Sequence, residues 1–222
     1  MKHILDKIFL RSNNLDNVSQ NIKKLTEKTP AQKIFESVNS YSSESEIRYV
    51  GGCVRKIINK ENIDDIDLAT NLEPKQVCEA LKSSNINYYE SGIDHGTITA
   101  LEDKYKFEIT TLRKDISTDG RHAEVKFSKD WKEDASRRDF TINSIYADKD
   151  GNLFDPFNGK KDLDEGNVNF IGNAEKRIQE DYLRILRYLR FYLNYSSHKH
   201  QSEIIKNIKK IFMEFQIYHL KG

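Results

Sequence analysis

Gly51-Gly52-Cys53-Val54-Arg55, followed after a short gap by Asp64-Asp65-Ile66-Asp67-Leu68-Ala69-Thr70, decides how this chain folds. Residues 47–50 read as a strand that ends at Gly51-Gly52, and a helix is expected from Cys53 to about Lys60. Residues 64–70 alternate as a second strand. Residues two apart in a strand point to the same side. Asp65 and Asp67 therefore present two carboxylates together, with Ile66 facing the core. Two like charges on one face repel unless a cation sits between them, and hard oxygen ligands of this kind suit Mg2+. A pair of such ions activates an attacking hydroxyl and stabilises a leaving phosphate in an in-line displacement. The twin glycine lets backbone amides approach a phosphate closely. A helix starting at Cys53 adds a favourable dipole there, and Arg55 is within reach of a triphosphate. Each piece alone has a plainer meaning: Gly-Gly is a turn, and Asp-x-Asp is a strand edge or a helix cap. Turn, helix and acidic strand in this order bring all of them to one end of a sheet.

Working outward, residues 11–29 are polar and read as a loop or loose helix. Pro30 opens a helix carrying Ile34, Phe35 and Val38. Glu73-Pro74 opens another, with Val77, Ala80 and Leu81 on one face. Strands are expected at 86–90, 95–101 and 105–112. Asp115 to His122 is polar, contains Gly120 and reads as a mobile loop. A helix is expected around 129–147, a hairpin turn at Asp150-Gly151, and a long helix at about 174–194. Strands in the middle and helices at the end predict an α+β fold, a catalytic head leading into a helical neck. The expected divisions are a polar segment at 1–29, the head at 30–147, and a hairpin with the start of the neck at 148–222.

The chain has 222 residues, 37% hydrophobic and 32% charged, with a formal net charge of +1. That balance hides an asymmetry: from Asp181 onward there are eight Lys/Arg against three Asp/Glu. A basic end beside an acidic catalytic region suits a nucleic-acid partner, and a solvated basic helix is the plainer alternative. Cys53 and Cys78 form no CxxC pair, which predicts a reduced, cytoplasmic setting. No apolar run approaches the roughly 20 residues of a membrane span, and the N-terminus lacks a signal-peptide core.

With His95-Gly-Thr-Ile-Thr-Ala100, Phe107-Glu-Ile-Thr-Thr-Leu-Arg113, Glu133 to Asn143 and Glu180 to Phe191, the pattern resembles the nucleotidyltransferase superfamily that includes DNA polymerase β. In more detail it is similar to the class II tRNA nucleotidyltransferases and bacterial poly(A) polymerases, from about Arg48 to Tyr195. The resemblance implies a polymerase-β-like head with a mixed sheet and a partial helical neck. It implies catalytic carboxylates at Asp65, Asp67 and Glu108, with Asp65 and Asp67 as the Mg2+ ligands; a strand-face charge is the other reading of Glu108. Nucleotide contacts would come from Gly51, Gly52, Arg55, Arg137, Arg138, Asp139, Asn143, Asp181, Arg184, Arg187 and Arg190. Asp139 and Asn143, four apart on the expected helix, share a face and would bond the ribose hydroxyls. The segment Asp115 to His122 resembles the flexible loop that enzymes adding the terminal A need. One departure is visible: the family usually has Arg-Asp after the glycine turn, where this chain has Arg55-Lys56.

By the same resemblance Asp181 and Arg184 select the base. The carboxylate accepts from the amino group of cytosine or adenine, and the guanidinium donates to the ring nitrogen beside it. Uracil and guanine show the reverse pattern. A three-residue spacing drifts about 60° per step on a helix, so by geometry Arg190 falls on the far side from Asp181. The implied activity is template-independent addition of C and A, from CTP and ATP, to the 3′ end of tRNA. Poly(A) polymerase is the alternative, disfavoured by the His95–Ala100 strand, where poly(A) enzymes of this class carry an Arg-Phe segment. A non-catalytic nucleotide- or RNA-binding remnant is the third reading, motivated by the short chain and Lys56. The family's body and tail are absent before the sequence stops, so a second polypeptide supplying them is one expected partner.

Overall fold

The computed structural model describes residues 18–118 and 123–219. Its centre is a seven-stranded mixed sheet in the order β3 (Asn87–Gly92), β4 (Thr97–Glu102), β5 (Tyr105–Thr111), β2 (Ile66–Thr70), β1 (Ile47–Val50), β8 (Tyr146–Ala147) and β9 (Leu153–Phe154). Strands β2 and β5 run parallel and the other neighbours antiparallel. This is the expected α+β head with a mixed sheet. The register sets Asp67 directly beside Glu108, so both carboxylates stand on one face.

The helices α1 (Val18–Lys28), α2 (Ala31–Asn39), α3 (Gly52–Ile58) and α4 (Pro74–Ser83) supply most of the head's core. Residues 18–28 correct the expectation of a loop or loose helix. They form a regular helix whose Ile22 and Leu25 are fully buried. Its Thr26 hydroxyl meets the Tyr49 hydroxyl at 2.9 Å. A narrow stripe of apolar residues among charged ones was enough to seat it, and the polar composition masked it. Residues 1–17 lie outside the described residues.

Two further expectations are corrected. The Asp115–His122 loop is in part a strand: β6 (Arg113–Thr118) pairs with β7 (Ala123–Phe127) as a separate ribbon, while 119–122 lie outside the described residues. The ladder satisfies the backbone without needing an apolar face, so a polar sequence concealed it. The helix expected over 129–147 is only α5 (Trp131–Ser136). Phe140 is extended (φ −124°, ψ 148°) and bridges Phe170. The Thr141 amide donates to the Asn169 carbonyl at 3.0 Å, and the Ile171 amide to the Asp139 carbonyl at 3.0 Å. Residues 169–171 thus take the bonds that a continuing helix would have used.

The long helix expected over 174–194 is likewise broken. α7 (Ala174–Glu180) stops at Asp181, which is extended (φ −156°, ψ 107°). The Asp181 carboxylate accepts from the Leu183 amide at 2.9 Å and so opens α8 (Leu183–Tyr195). A second core joins these helices, α6 (Gly159–Glu165) and α9 (Ser202–His219) to Phe140 and Ile142 of the head. Phe140 packs on Phe170 and Phe191 with ring centroids 4.7 and 5.4 Å apart. Truncating such a buried ring typically costs about 3–5 kcal/mol, so this contact fixes the neck helices against the head.

Candidate active site

Strand β1 ends at Gly51, which turns the chain with φ +66°, a left-handed conformation that favours glycine. A side chain there would also meet an Arg138 guanidinium nitrogen at 3.4 Å. Asp67 stands in β2 beneath this turn; its carboxylate lies about 4.0 Å from where a side chain on Gly52 would begin. Asp65 precedes β2 in irregular backbone, yet it acts electrostatically on Asp67. Burial pushes the Asp67 carboxyl above its ordinary value, and the Glu108 and Asp65 charges push it further. Crowded, partly desolvated hard oxygens are the condition a divalent cation relieves. Among the described residues no three His, Cys, Asp or Glu side chains form a ready-made metal set. Asp65 and Asp67 are the donors that could hold a divalent cation, whose remaining positions phosphate and water would have to fill. Glu108 is half-exposed, its carboxylate held by Lys106 at 2.7 Å.

Against Asp67 opens a cavity of about 650 Å³, within the usual range for small-molecule sites. Seven arginines line it: Arg55, Arg113, Arg137, Arg138, Arg184, Arg187 and Arg190, against three aspartates, Asp67, Asp139 and Asp181. Such an excess of guanidinium suits a polyphosphate. Arg137 and Arg138 owe their position to Asp134, whose side chain is 1% exposed. Its two oxygens accept from Arg137 at 2.9 Å, Arg138 at 3.2 Å, the Tyr146 hydroxyl at 2.6 Å and the Arg113 amide at 3.1 Å. Burial pushes the Asp134 carboxyl up, but Arg138, Arg137 and these hydrogen bonds outweigh it and hold it below the carboxylate range.

Asp139 and Asn143 do not share a helix face. A 3-10 turn at Thr141–Asn143 nevertheless brings them together, and the Asn143 amide donates to Asp139 Oδ1 at 3.1 Å. Asp139 Oδ2 pairs with Arg187 at 2.6 Å, and Arg55 donates to Asn143 Oδ1. Asp181 is not one turn below Arg184 on a continuous helix, since it occupies the break. The Arg184 guanidinium turns back to Glu180 at 2.6 Å and to the Arg177 carbonyl at 2.7 Å. Arg177 in turn donates to the Arg138 carbonyl at 2.8 Å, tying α7 to the Arg137-Arg138 segment. Arg190 is corrected as well. With Asp181 off the helix, the swing from Arg184 to Arg190 is only about 120°, and all three arginines of α8 reach the cavity.

The cavity gathers twelve of the fourteen sequence-derived residues. Asp65 lines a neighbouring cavity that also holds Asp67, and Glu108 lines neither. Sequence reasoning missed Arg113, Asp134, Glu180 and Phe191 as parts of the site. Arg113 and Glu180 sat inside quoted motifs. For Asp134, the signal was an acid three and four residues before Arg137-Arg138.

A family model described as poly A polymerase head domain matches residues 47–169. The chain is 55% identical over 148 residues to human "CCA tRNA nucleotidyltransferase 1, mitochondrial", covering 66% of this chain and 34% of that protein. It is 38% identical over 192 residues to the CCA-adding enzyme of Leuconostoc citreum, covering 83% and 46%. The Bacillus stearothermophilus CCA-adding enzyme, solved in complex with CTP, superposes with a TM-score of 0.66 at 32% identity, over 75% of this chain and 39% of that one. The chain thus spans less than half the length of these relatives. The matched stretch runs from β1 through the glycine turn, both acidic strands and the Asp134–Asn143 turn, more than half of the chain, and on it the chain belongs to the poly A polymerase head-domain family.

Proposed function

We propose that the chain is the catalytic part of a template-independent RNA nucleotidyltransferase that adds C and A, from CTP and ATP, to the 3′ end of tRNA. The observation that carries this reading is the cavity that brings seven arginines, Arg184 among them, together with the Asp139–Asn143 pair, Asp181 and Asp67. The arginines take the triphosphate. Asp139 and Asn143 meet the ribose hydroxyls, and Asp181 and Arg184 read the pairing edge of the base. Mg2+ on Asp65 and Asp67 would supply charge neutralisation at the transferring phosphate. The RNA 3′-hydroxyl oxygen bonds to the α-phosphorus, the α–β bridging bond breaks, and pyrophosphate leaves into the arginine cluster. The hydroxyl proton passes to a flanking carboxylate.

The relatives named above are CCA-adding enzymes, which favours this reading over poly(A) addition. Lys56, which motivated the remnant reading, pairs with Asp64 at 2.8 Å and leaves both Asp65 and Asp67 facing a cavity. α8 leaves Leu183, Leu186 and Leu193 54%, 64% and 81% exposed. A stripe of that kind supports further covering chain, from a longer sequence or a second polypeptide. Among the described residues no helix is long and apolar enough to cross a membrane. Both cysteines are free and buried, which suits a reducing compartment. The cytoplasm is our reading, though the human, mouse and zebrafish relatives are named mitochondrial.

The test is single-nucleotide incorporation, or binding, with all four NTPs. C and A should be preferred over U and G, and Arg184→Ala should flatten that preference. Each lost bond to a charged group is worth about 1.5–3 kcal/mol, or roughly 10- to 150-fold. An undiminished preference in Arg184→Ala would place base reading elsewhere.

A further inference from the structure

Arg177 stands in α7 and lines neither of the two cavities. Its side chain is 14% exposed, so its guanidinium is spent inside the protein. Nη2 donates to the Arg138 carbonyl at 2.8 Å and also to the Arg137 carbonyl. Nη1 donates to Glu180 Oε2 at 2.6 Å, and that same oxygen accepts from Arg184 Nη1 at 2.6 Å. The Arg177 carbonyl takes a further bond from Arg184 Nη1, at 2.7 Å. One residue is thus bonded at its tip to the backbone of the Arg137-Arg138 segment. Through Glu180 and through its own carbonyl it is bonded to Arg184.

Resting on the function proposed above, we infer that Arg177 is a positioning residue for base selection: it sets the Arg184 guanidinium against the arginines of the head, so that base and triphosphate are held in one register. Three observations converge. The chain is extended at Asp181, between α7 and α8, and the two bonds from Arg184 back to Glu180 and the Arg177 carbonyl cross that break. α8 also packs on the second core through Ile185, Tyr188 and Phe191. Apolar packing is non-directional, so it places the helix without aiming a long, rotamer-rich arginine; the hydrogen bonds aim it. Arg184 commits Nη1 to these acceptors, and its remaining N–H groups are those available to a base. Finally, the Arg137 and Arg138 side chains are held by Asp134, not by Arg177. Losing the Arg177 guanidinium therefore leaves the phosphate half of the site in place and releases the base half. Only a planar fork serves two carbonyls and a carboxylate at once, a task beyond the point charge of a lysine.

The experiment measures Kd of the 222-residue chain for CTP, ATP, UTP, GTP and inorganic triphosphate, in wild type and in Arg177→Lys, which keeps the charge and loses the fork. The preference for C and A over U and G should fall about tenfold, the scale of one lost bond to a charged group. The Kd for inorganic triphosphate should stay unchanged. Combining Arg177→Lys with Arg184→Ala should lower the preference no further than Arg184→Ala alone, because both act through one guanidinium. A variant that keeps the full preference overturns the assignment. So does one that weakens inorganic triphosphate and all four nucleotides alike, the mark of a merely structural role. A wild-type chain with equal affinity for all four nucleotides would overturn base selection on α8, and this assignment with it. A wild type with the preference beside an Arg177→Lys chain that retains it would overturn this assignment alone. If Arg177→Lys does not fold, Glu180→Gln cuts the same path one residue further on. It should show the same fall in preference with inorganic triphosphate binding intact, and a retained preference there overturns the assignment equally.

Discussion

Asp134→Ala should damage both stability and nucleotide binding, although Asp134 itself lines neither of the two cavities described above. Its carboxylate is 1% exposed, while Arg137 and Arg138 beside it are 16% and 18% exposed. Removing the acid leaves two largely buried cations and the Tyr146 hydroxyl without their acceptor. Breaking a buried pair from one side costs about 3–5 kcal/mol. For a chain of this size each kcal/mol shifts Tm by about 2–4 °C, so a fall of roughly 6–20 °C is expected by thermal melting. Asn is no rescue, since an amide turns one oxygen into a donor facing donors. Because the carboxyl is held below its ordinary value of 3.8, its stabilisation is fully present above that value. It is lost only as pH falls through the lowered folded value. The Tm penalty of Asp134→Ala should therefore be constant from pH 8 to about pH 5. Calorimetric titration with CTP should show weaker binding, since both arginines lose their fixed direction. A Tm within about 2 °C of wild type would refute the claim that Asp134 holds this turn.

Asp67 carries the opposite sign. Its carboxyl is raised above 3.8 by burial, then by Glu108 and Asp65. Its favourable contribution exists below 3.8 and is lost as pH rises through the folded value. Asp67→Asn should thus raise the Tm of the metal-free chain at pH 7, with the gain shrinking as pH falls toward 4; no gain at pH 7 would count against crowded carboxylates. Asp139→Ala should weaken the preference for ribonucleotides over deoxynucleotides in competition assays, because it removes the acceptor of both Asn143 and Arg187. An unchanged preference would move the ribose contact elsewhere.

The head was legible because periodicity survives in single strands and helices. Residues 47–50, 66–70 and 105–111 alternate or run apolar, and the glycine turn announces itself. The breaks were not legible, because they depend on partners distant in sequence. Phe140 turns away to bridge Phe170, where the sequence alone reads as one helix around 129–147. Asp181 interrupts α7 and α8 by capping Leu183, which the smooth run of leucines and arginines hides. Twelve site residues still converge, because the family motif fixes which residues meet even where helix geometry assigns the wrong reason. Asp134 and Glu180 escaped notice because they act on arginines rather than on a ligand.

The most direct test incubates the 222-residue chain with Mg2+, labelled NTPs and tRNA lacking its terminal CCA. C and A label should appear at the RNA 3′ end, slowly if further chain is needed to hold the tRNA, and should vanish in folded Asp65→Ala and Asp67→Ala chains. No label at saturating nucleotide and Mg2+, or transfer retained by either folded variant, would contradict the account.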